Sequence, residues 1–136
     1  MPDAPDADIV GFNALLGFRV AEWRPDWIRM EFDVAEHHRN RSGLVHGGVL
    51  ATFLDATMSF SGSYPPEPGA RRRRCVTLTL TTTFIGAAKS GTLACVAERR
   101  GGGNSVFMAS GEIRDDSGKL VAIAEGTYRY ISENLR

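Results

Sequence analysis

The sequence predicts an α+β domain in which an antiparallel sheet of about six strands wraps around one apolar helix. Two observations carry that prediction. The run Val49 to Ser61 is apolar almost all round and rich in Ala, Leu and Met, so it reads as a helix that must be buried. Around it lie shorter stretches of alternating or β-branched residues, each bounded by Gly, Pro, Asn or Asp, which read as strands. A chain of 136 residues buries roughly two-thirds of its unfolded surface, enough for one core. The expected organisation is a single domain over 1–136, with residues 1–8 as a loose tail.

The elements follow in order. Ile9, Phe12, Leu15 and Leu16 recur at helical spacing, with Asp8 as N-cap and Gly17 as stop, so a short opening helix is expected. Phe18 to Trp23 reads as a strand and Pro25-Asp26 as a turn. Ile28, Met30, Phe32 and Val34 then alternate with Arg29, Glu31 and Asp33, which completes a hairpin with one wet face. After the central helix, Gly62 to Gly69 holds three prolines and cannot continue it. Val76 to Ile85, Gly91 to Arg99, Ser105 to Arg114 and Leu120 to Ile131 are the remaining strands, expected to run as an antiparallel meander.

Composition narrows the function classes. Sixteen basic residues balance sixteen acidic ones, so no overall field favours nucleic acid. No window approaches the ~20 apolar residues of a membrane helix. The acidic, proline-containing start lacks the pattern of a secretory signal, so a cytoplasmic location and no membrane are expected. Cys75 and Cys95 form neither a disulfide framework nor a metal knuckle and read as small core residues; no metal and no cofactor are expected. His37-His38 reads as a solvent-exposed strand end.

Chemistry concentrates between Asn40 and Asp55. His46-Gly47-Gly48 stands where the central helix begins, so free N–H groups and the positive end of the helix dipole face an approaching carbonyl oxygen. Taken alone, that stretch is more simply a flexible helix start with a surface histidine. Asp55 is a carboxylate in an apolar helix, which needs a partner or a pocket to offset its burial. A structural aspartate and a functional one are equally good readings in isolation, and the upstream helix end tips the balance towards a site. Arg71 to Arg74 invites phosphate contact, with Arg73 and Arg74 as candidates, although a solvated loop is the plainer reading. Gly101-Gly102-Gly103 reads as a hairpin turn. No Gly-x-Ser-x-Gly elbow occurs, so a serine triad is not expected.

These residues resemble those of the hotdog-fold acyl-CoA thioesterases, within them the phenylacetate-pathway, or PaaI-like, group. The resemblance spans nearly the whole chain. It rests on Asn40, Gly43-Leu44-Val45-His46-Gly47-Gly48, Asp55 nine positions after His46, Ala87-Ala88-Lys89-Ser90-Gly91, and Asp116-Ser117-Gly118-Lys119-Leu120-Val121-Ala122. It implies homodimers, usually assembled into tetramers, with active sites at the dimer interface. It also implies Asp55 as catalytic base or nucleophile, the partner's Gly47 N–H as oxyanion donor, and Asn40 and His46 as residues that place the thioester; Gly48 is a substrate-contact candidate because a glycine at the helix start allows close approach of a ligand. Thr77 falls where relatives carry a hydroxyl that holds the attacking water. The implied substrate is an acyl-CoA with an aromatic or medium-chain acyl group. The alternatives are a non-catalytic acyl-CoA-binding protein, against which Asp55 and Thr77 together speak, and an acyl-thioester hydratase or dehydratase, whose hydration motif is not seen.

Overall fold

The structure is a computed structural model that describes residues 7–132. Its elements are α1 (Gly11–Leu15), β1 (Arg19–Arg24), β2 (Trp27–Asp33), a 3₁₀ turn (Glu36–His38), α2 (Gly47–Ser61), β3 (Cys75–Phe84), β4 (Thr92–Gly102), β5 (Val106–Arg114) and β6 (Leu120–Tyr130). The six strands form one sheet in the order β1-β2-β4-β5-β6-β3, every neighbouring pair antiparallel. The sheet wraps α2, which is the hotdog arrangement.

The four-strand meander expected after α2 is corrected at one position: β3 pairs with β6 at the far edge, not with β4. The apolar pattern explains it. Leu93, Cys95 and Ala97 of β4 are fully buried, and they stand opposite Phe32, Met30 and Ile28 of β2, which are fully buried too. Joining these two apolar faces leaves no place beside β4 for the threonine-rich β3. α2 carries the chain from β2 across the sheet's inner face to the free edge at β6. The segment Ile85 to Gly91 brings it back, pinned by Gly86 N–H to Val121 O at 3.0 Å, Val45 N–H to Ala88 O at 2.8 Å and Val34 N–H to Gly91 O at 2.9 Å.

The helix is not buried all round. Leu50, Phe53, Leu54, Ala56, Thr57, Met58, Phe60 and Ser61 face the core, whereas Gly48, Ala51, Thr52, Asp55 and Ser59 form a stripe left partly open. Buried hydroxyls are satisfied within the helix: Thr57 donates to Phe53 O at 2.7 Å and Ser61 to Met58 O at 2.6 Å. At its C-terminal end, Trp23 Nε1 donates to Phe60 O at 3.1 Å and the Tyr130 hydroxyl to Gly62 O at 2.7 Å. These bonds satisfy carbonyls that the helix itself cannot.

The opening helix ends as expected, at Gly17 with φ +79°, but its N-cap is Val10, without a side-chain bond, instead of Asp8. With five residues, α1 is too short to present an apolar face. Phe12 and Leu15 stay exposed while Leu16, just beyond, is buried. Ala7 is buried as well, so the tail reading fails there, and residues 1–6 lie outside the described residues.

His38 corrects a second expectation, for it is buried while His37 is exposed. Its Nδ1 accepts from Ala35 N–H at 2.9 Å, and its Nε2 bonds Leu16 O at 2.8 Å. A carbonyl only accepts, so Nε2 carries the proton and the ring is a neutral tie between two loops. Burial lowers its pKa from the ordinary 6.5.

Candidate active site

Asp55 sits on the open stripe of α2, facing β3 and β6. Its Oδ1 accepts from the Thr77 hydroxyl at 2.8 Å and from the Tyr128 hydroxyl at 3.0 Å. Among the described residues Oδ2 has no hydrogen bond. One carboxylate oxygen is therefore held and the other is free.

Thr77 reaches Asp55 because β3 is irregular. Thr77 pairs with Tyr128 and Thr79 with Thr127, so Leu78 is an extra residue on the β3 side of the ladder. Such a bulge re-aims side chains next to it, and here Thr77 shares the inward face with its partner Tyr128.

Tyr128 does not stand out in the sequence. It is fully buried and stacked on Phe107, ring centroids 5.1 Å apart at 18°. Burial first, and then the Asp55 charge and hydrogen bond, push its phenol pKa up, so it stays a neutral donor. The available signal is the inward row Ala122, Ala124, Gly126, Tyr128 of β6: a ring with a polar tip on a buried face needs a hydrogen-bond partner.

The second part of the site lies at the N-terminal end of α2. His46 is the N-cap, its Nδ1 accepting from Gly48 N–H at 2.8 Å. Gly48 thus spends on His46 the donor that a substrate contact would use. Gly47 N–H has no hydrogen bond among the described residues and is the donor left at this end. A Cβ on Gly47 would stand 3.4 Å from the ring of Phe84, which is 54% exposed. Asn40 shapes the loop that delivers this helix end: its Oδ1 accepts from Ser42 N–H at 2.9 Å and Leu44 N–H at 3.2 Å. Arg39 and Val45 bridge the loop's ends.

Gly47 and Asp55 do not meet within one chain. Eight helical residues at a rise of 1.5 Å separate them by about 12 Å, too far for one carbonyl to touch both. Of the sequence-derived candidates, the structure joins Asp55 with Thr77, and Asn40, His46, Gly47 and Gly48 with one another. Arg73 belongs to neither group, since its guanidinium lies 3.6 Å from the Tyr130 ring centre and donates to Asn104 O at 3.0 Å. Arg74 is exposed on the same segment.

Among the described residues no His, Cys, Asp or Glu group of three or more is arranged to hold a metal ion, and no helix is long and apolar enough to cross a membrane. Cys95 is fully buried and its thiol is pushed up to about 12 by that burial. That makes it a core residue, whereas Cys75 is partly buried.

The model of the thioesterase superfamily matches residues 42–122, more than half of the chain and the segment that carries Gly47, Asp55 and Thr77. The chain belongs to this superfamily. Among solved structures, it is similar to the conserved protein PA5202 of Pseudomonas aeruginosa, 29% identical with a TM-score of 0.82, covering 90% of this chain and 95% of that one. It is also similar to a phenylacetic acid degradation-related protein of Ralstonia eutropha JMP134, 29% identical, TM-score 0.74, covering 85% and 86%. This likeness supports a PaaI-like thioesterase. Thioesterase HI1161 of Haemophilus influenzae, at 23% identity, TM-score 0.79 and coverage of 90% and 85%, shares the fold. Membership in the superfamily points to hydrolysis of thioesters in general.

Proposed function

We propose that the protein is an acyl-CoA thioesterase, cleaving an aromatic or medium-chain acyl-CoA to the free acid and coenzyme A. The observation that carries this reading is the Asp55 carboxylate, held at Oδ1 by two hydroxyls with Oδ2 open. A carboxylate fixed in this way is preorganised to take a proton from water.

In the hydrolysis, Asp55 Oδ2 accepts a proton from a water molecule as its oxygen attacks the thioester carbonyl. The carbonyl π electrons move onto oxygen, and a Gly47 N–H at a helix N-terminus stabilises the oxyanion by a few kcal/mol. Collapse re-forms the carbonyl and breaks the C–S bond. The proton on Asp55 returns to the departing thiolate, so acid and thiol leave and the enzyme is regenerated. In the nucleophilic variant Oδ2 attacks directly and water hydrolyses the resulting anhydride. Single-turnover hydrolysis in ¹⁸O water tells them apart, because only the anhydride route can place label in the Asp55 carboxyl.

Because about 12 Å separates Gly47 from Asp55 in one chain, we assign the oxyanion donor to the Gly47 of a second copy. The edge strand β3, with Val76, Leu78, Leu80 and Phe84 exposed, is the natural seam for such a homodimer. Thr77 holds the water beside Asp55, Asn40 and His46 set the helix end, and the exposed Arg74 is available to coenzyme A phosphates. Steady-state hydrolysis of a panel of acyl-CoA esters by wild type and Asp55→Ala tests the reading. Turnover by wild type and its loss in the variant support it, whereas equal rates overturn it.

A further inference from the structure

We infer that Tyr128 is a positioning residue for the reaction, acting through Asp55 to keep Oδ2 turned towards the substrate; the inference rests on the thioesterase reading above. An aspartate carboxylate rotates easily about its last bond, and a rotation short of half a turn swings its free oxygen out of line with the substrate. A single donor would restrain that rotation weakly. Here the donors come from two strands, Thr77 on β3 at 2.8 Å and Tyr128 on β6 at 3.0 Å, and they converge on the same oxygen. The tyrosine is the stiffer of the two. Its ring is fully buried, stacked on Phe107, and carries its hydroxyl at the end of a body with no freedom to swing. That hydroxyl also lies 3.3 Å from the backbone oxygen of Asp55, so it contacts both the helix backbone and the carboxylate it carries.

A gap in β6 makes the arrangement possible. A Cβ on Gly126 would come within 2.9 Å of both the ring and the hydroxyl oxygen of Tyr128, and 3.1 Å from Thr79 O. The tyrosine therefore leans along its own strand, over the place where residue 126 has no side chain, to reach the helix. Position 126 and position 128 act together: the first is empty so that the second can extend. Nothing in core packing alone requires the hydroxyl, since a phenylalanine would fill the same space and stack on Phe107 equally well. Among the described residues the hydroxyl's hydrogen bonds are to Asp55.

The test is steady-state kinetics on the best acyl-CoA ester for wild type, Asp55→Ala, Tyr128→Phe, Gly126→Ala and a protein carrying 3-fluorotyrosine at position 128. Loss of one hydrogen bond to a charged, reacting group predicts a drop in kcat of about tenfold to a hundredfold in Tyr128→Phe, with KM little changed. The fluorinated tyrosine, which keeps the hydroxyl, returns most of the rate. Gly126→Ala, which displaces the ring, lowers kcat similarly and adds nothing when combined with Tyr128→Phe. A purely structural tyrosine predicts a lower melting temperature with kcat intact. An active wild type, an inactive Asp55→Ala and an unimpaired Tyr128→Phe overturn the role of Tyr128 while leaving the thioesterase reading in place. If Tyr128→Phe does not fold, the fluorotyrosine protein and Gly126→Ala decide: a slow fluorotyrosine protein or a fully active Gly126→Ala overturns the inference. An inactive wild type or an active Asp55→Ala removes the thioesterase reading, and the inference falls with it.

Discussion

The two ends of α2 are finished in opposite ways. At the C-terminal end, Trp23 and Tyr130 satisfy carbonyls, and Gly62 lies so close to Phe107 that an added Cβ would stand 2.5 Å from its ring. At the N-terminal end, one donor is consumed by His46, the Gly47 N–H is left without a partner among the described residues, and the nearest ring, Phe84, is half in solvent. A buried helix end without partners costs stability. One end is therefore sealed because it belongs to the core, and the other is left incomplete where a ligand's oxygen can complete it. On the proposed reading, function belongs to one terminus of the element and stability to the other.

The largest expected effect breaks the open end. Gly47→Pro removes the free N–H and lowers kcat by about a hundredfold or more, because losing one oxyanion donor commonly costs that much. Mixed with Asp55→Ala chains, it regains part of the activity if sites are shared, since a heterodimer then keeps one intact site. Failure to regain any, with subunit exchange verified by mass spectrometry, places each site within one chain. Light scattering gives the oligomeric state on which the sharing depends.

The same small change at the two glycines sharpens the contrast. Gly62→Ala forces a Cβ into the fully buried Phe107 and should destabilise by about 1–3 kcal/mol. At Gly47 the added Cβ meets the half-exposed Phe84 at an ordinary contact distance, so Gly47→Ala should melt close to wild type. Thermal unfolding of the pair decides; equal destabilisation would show that the open end is packed as tightly as the closed one.

Thr77→Ala should slow turnover less than Asp55→Ala does, and Thr77→Ser should be nearly silent, since the role assigned is one hydroxyl bond. Equal damage from both changes would mean that the threonine methyl, not its hydroxyl, matters.

The smallest effect concerns the support of the open end, where His46 N–H donates to His38 O at 2.8 Å. The folded pKa of His38 lies below the unfolded value of 6.5, so the unfolded chain takes up the proton first. Its contribution is fully present above that value and is lost as pH falls below it. Denaturant midpoints should therefore fall from about pH 7.5 to about pH 5 more steeply in wild type than in His38→Gln.

Much of this fold is legible in local pattern. The apolar helix, the hairpin of β1 and β2, and the glycine stop at Gly17 follow from periodicity and turn chemistry, as does the helix start at His46-Gly47-Gly48. The position of β3 was not legible, because strand order depends on which buried faces meet, and a threonine-rich run does not advertise its neighbour. The burial of His38 is not legible locally, since its Nε2 donates to Leu16 O on a segment 22 residues away. Asp55 stood out as a charge in an apolar helix, but Tyr128 is 73 residues away and its relation to Asp55 exists only through sheet register.

The bulge at Leu78 has a consequence for how β3 tolerates change. Thr77, Thr79, Thr81 and Thr83 look like one ladder, spaced two apart, yet Thr77 pairs inward with Tyr128 while the other three pair with Thr127, Glu125 and Ile123, of which Glu125 and Ile123 are exposed. The strand is two interleaved texts, and the bulge splices the end of one onto the beginning of the other. Substitutions at Thr79, Thr81 and Thr83 rewrite the outside of the sheet and leave the carboxylate's surroundings unchanged, whereas Thr77, identical to them in letter and spacing, answers to the chemistry of the helix behind it.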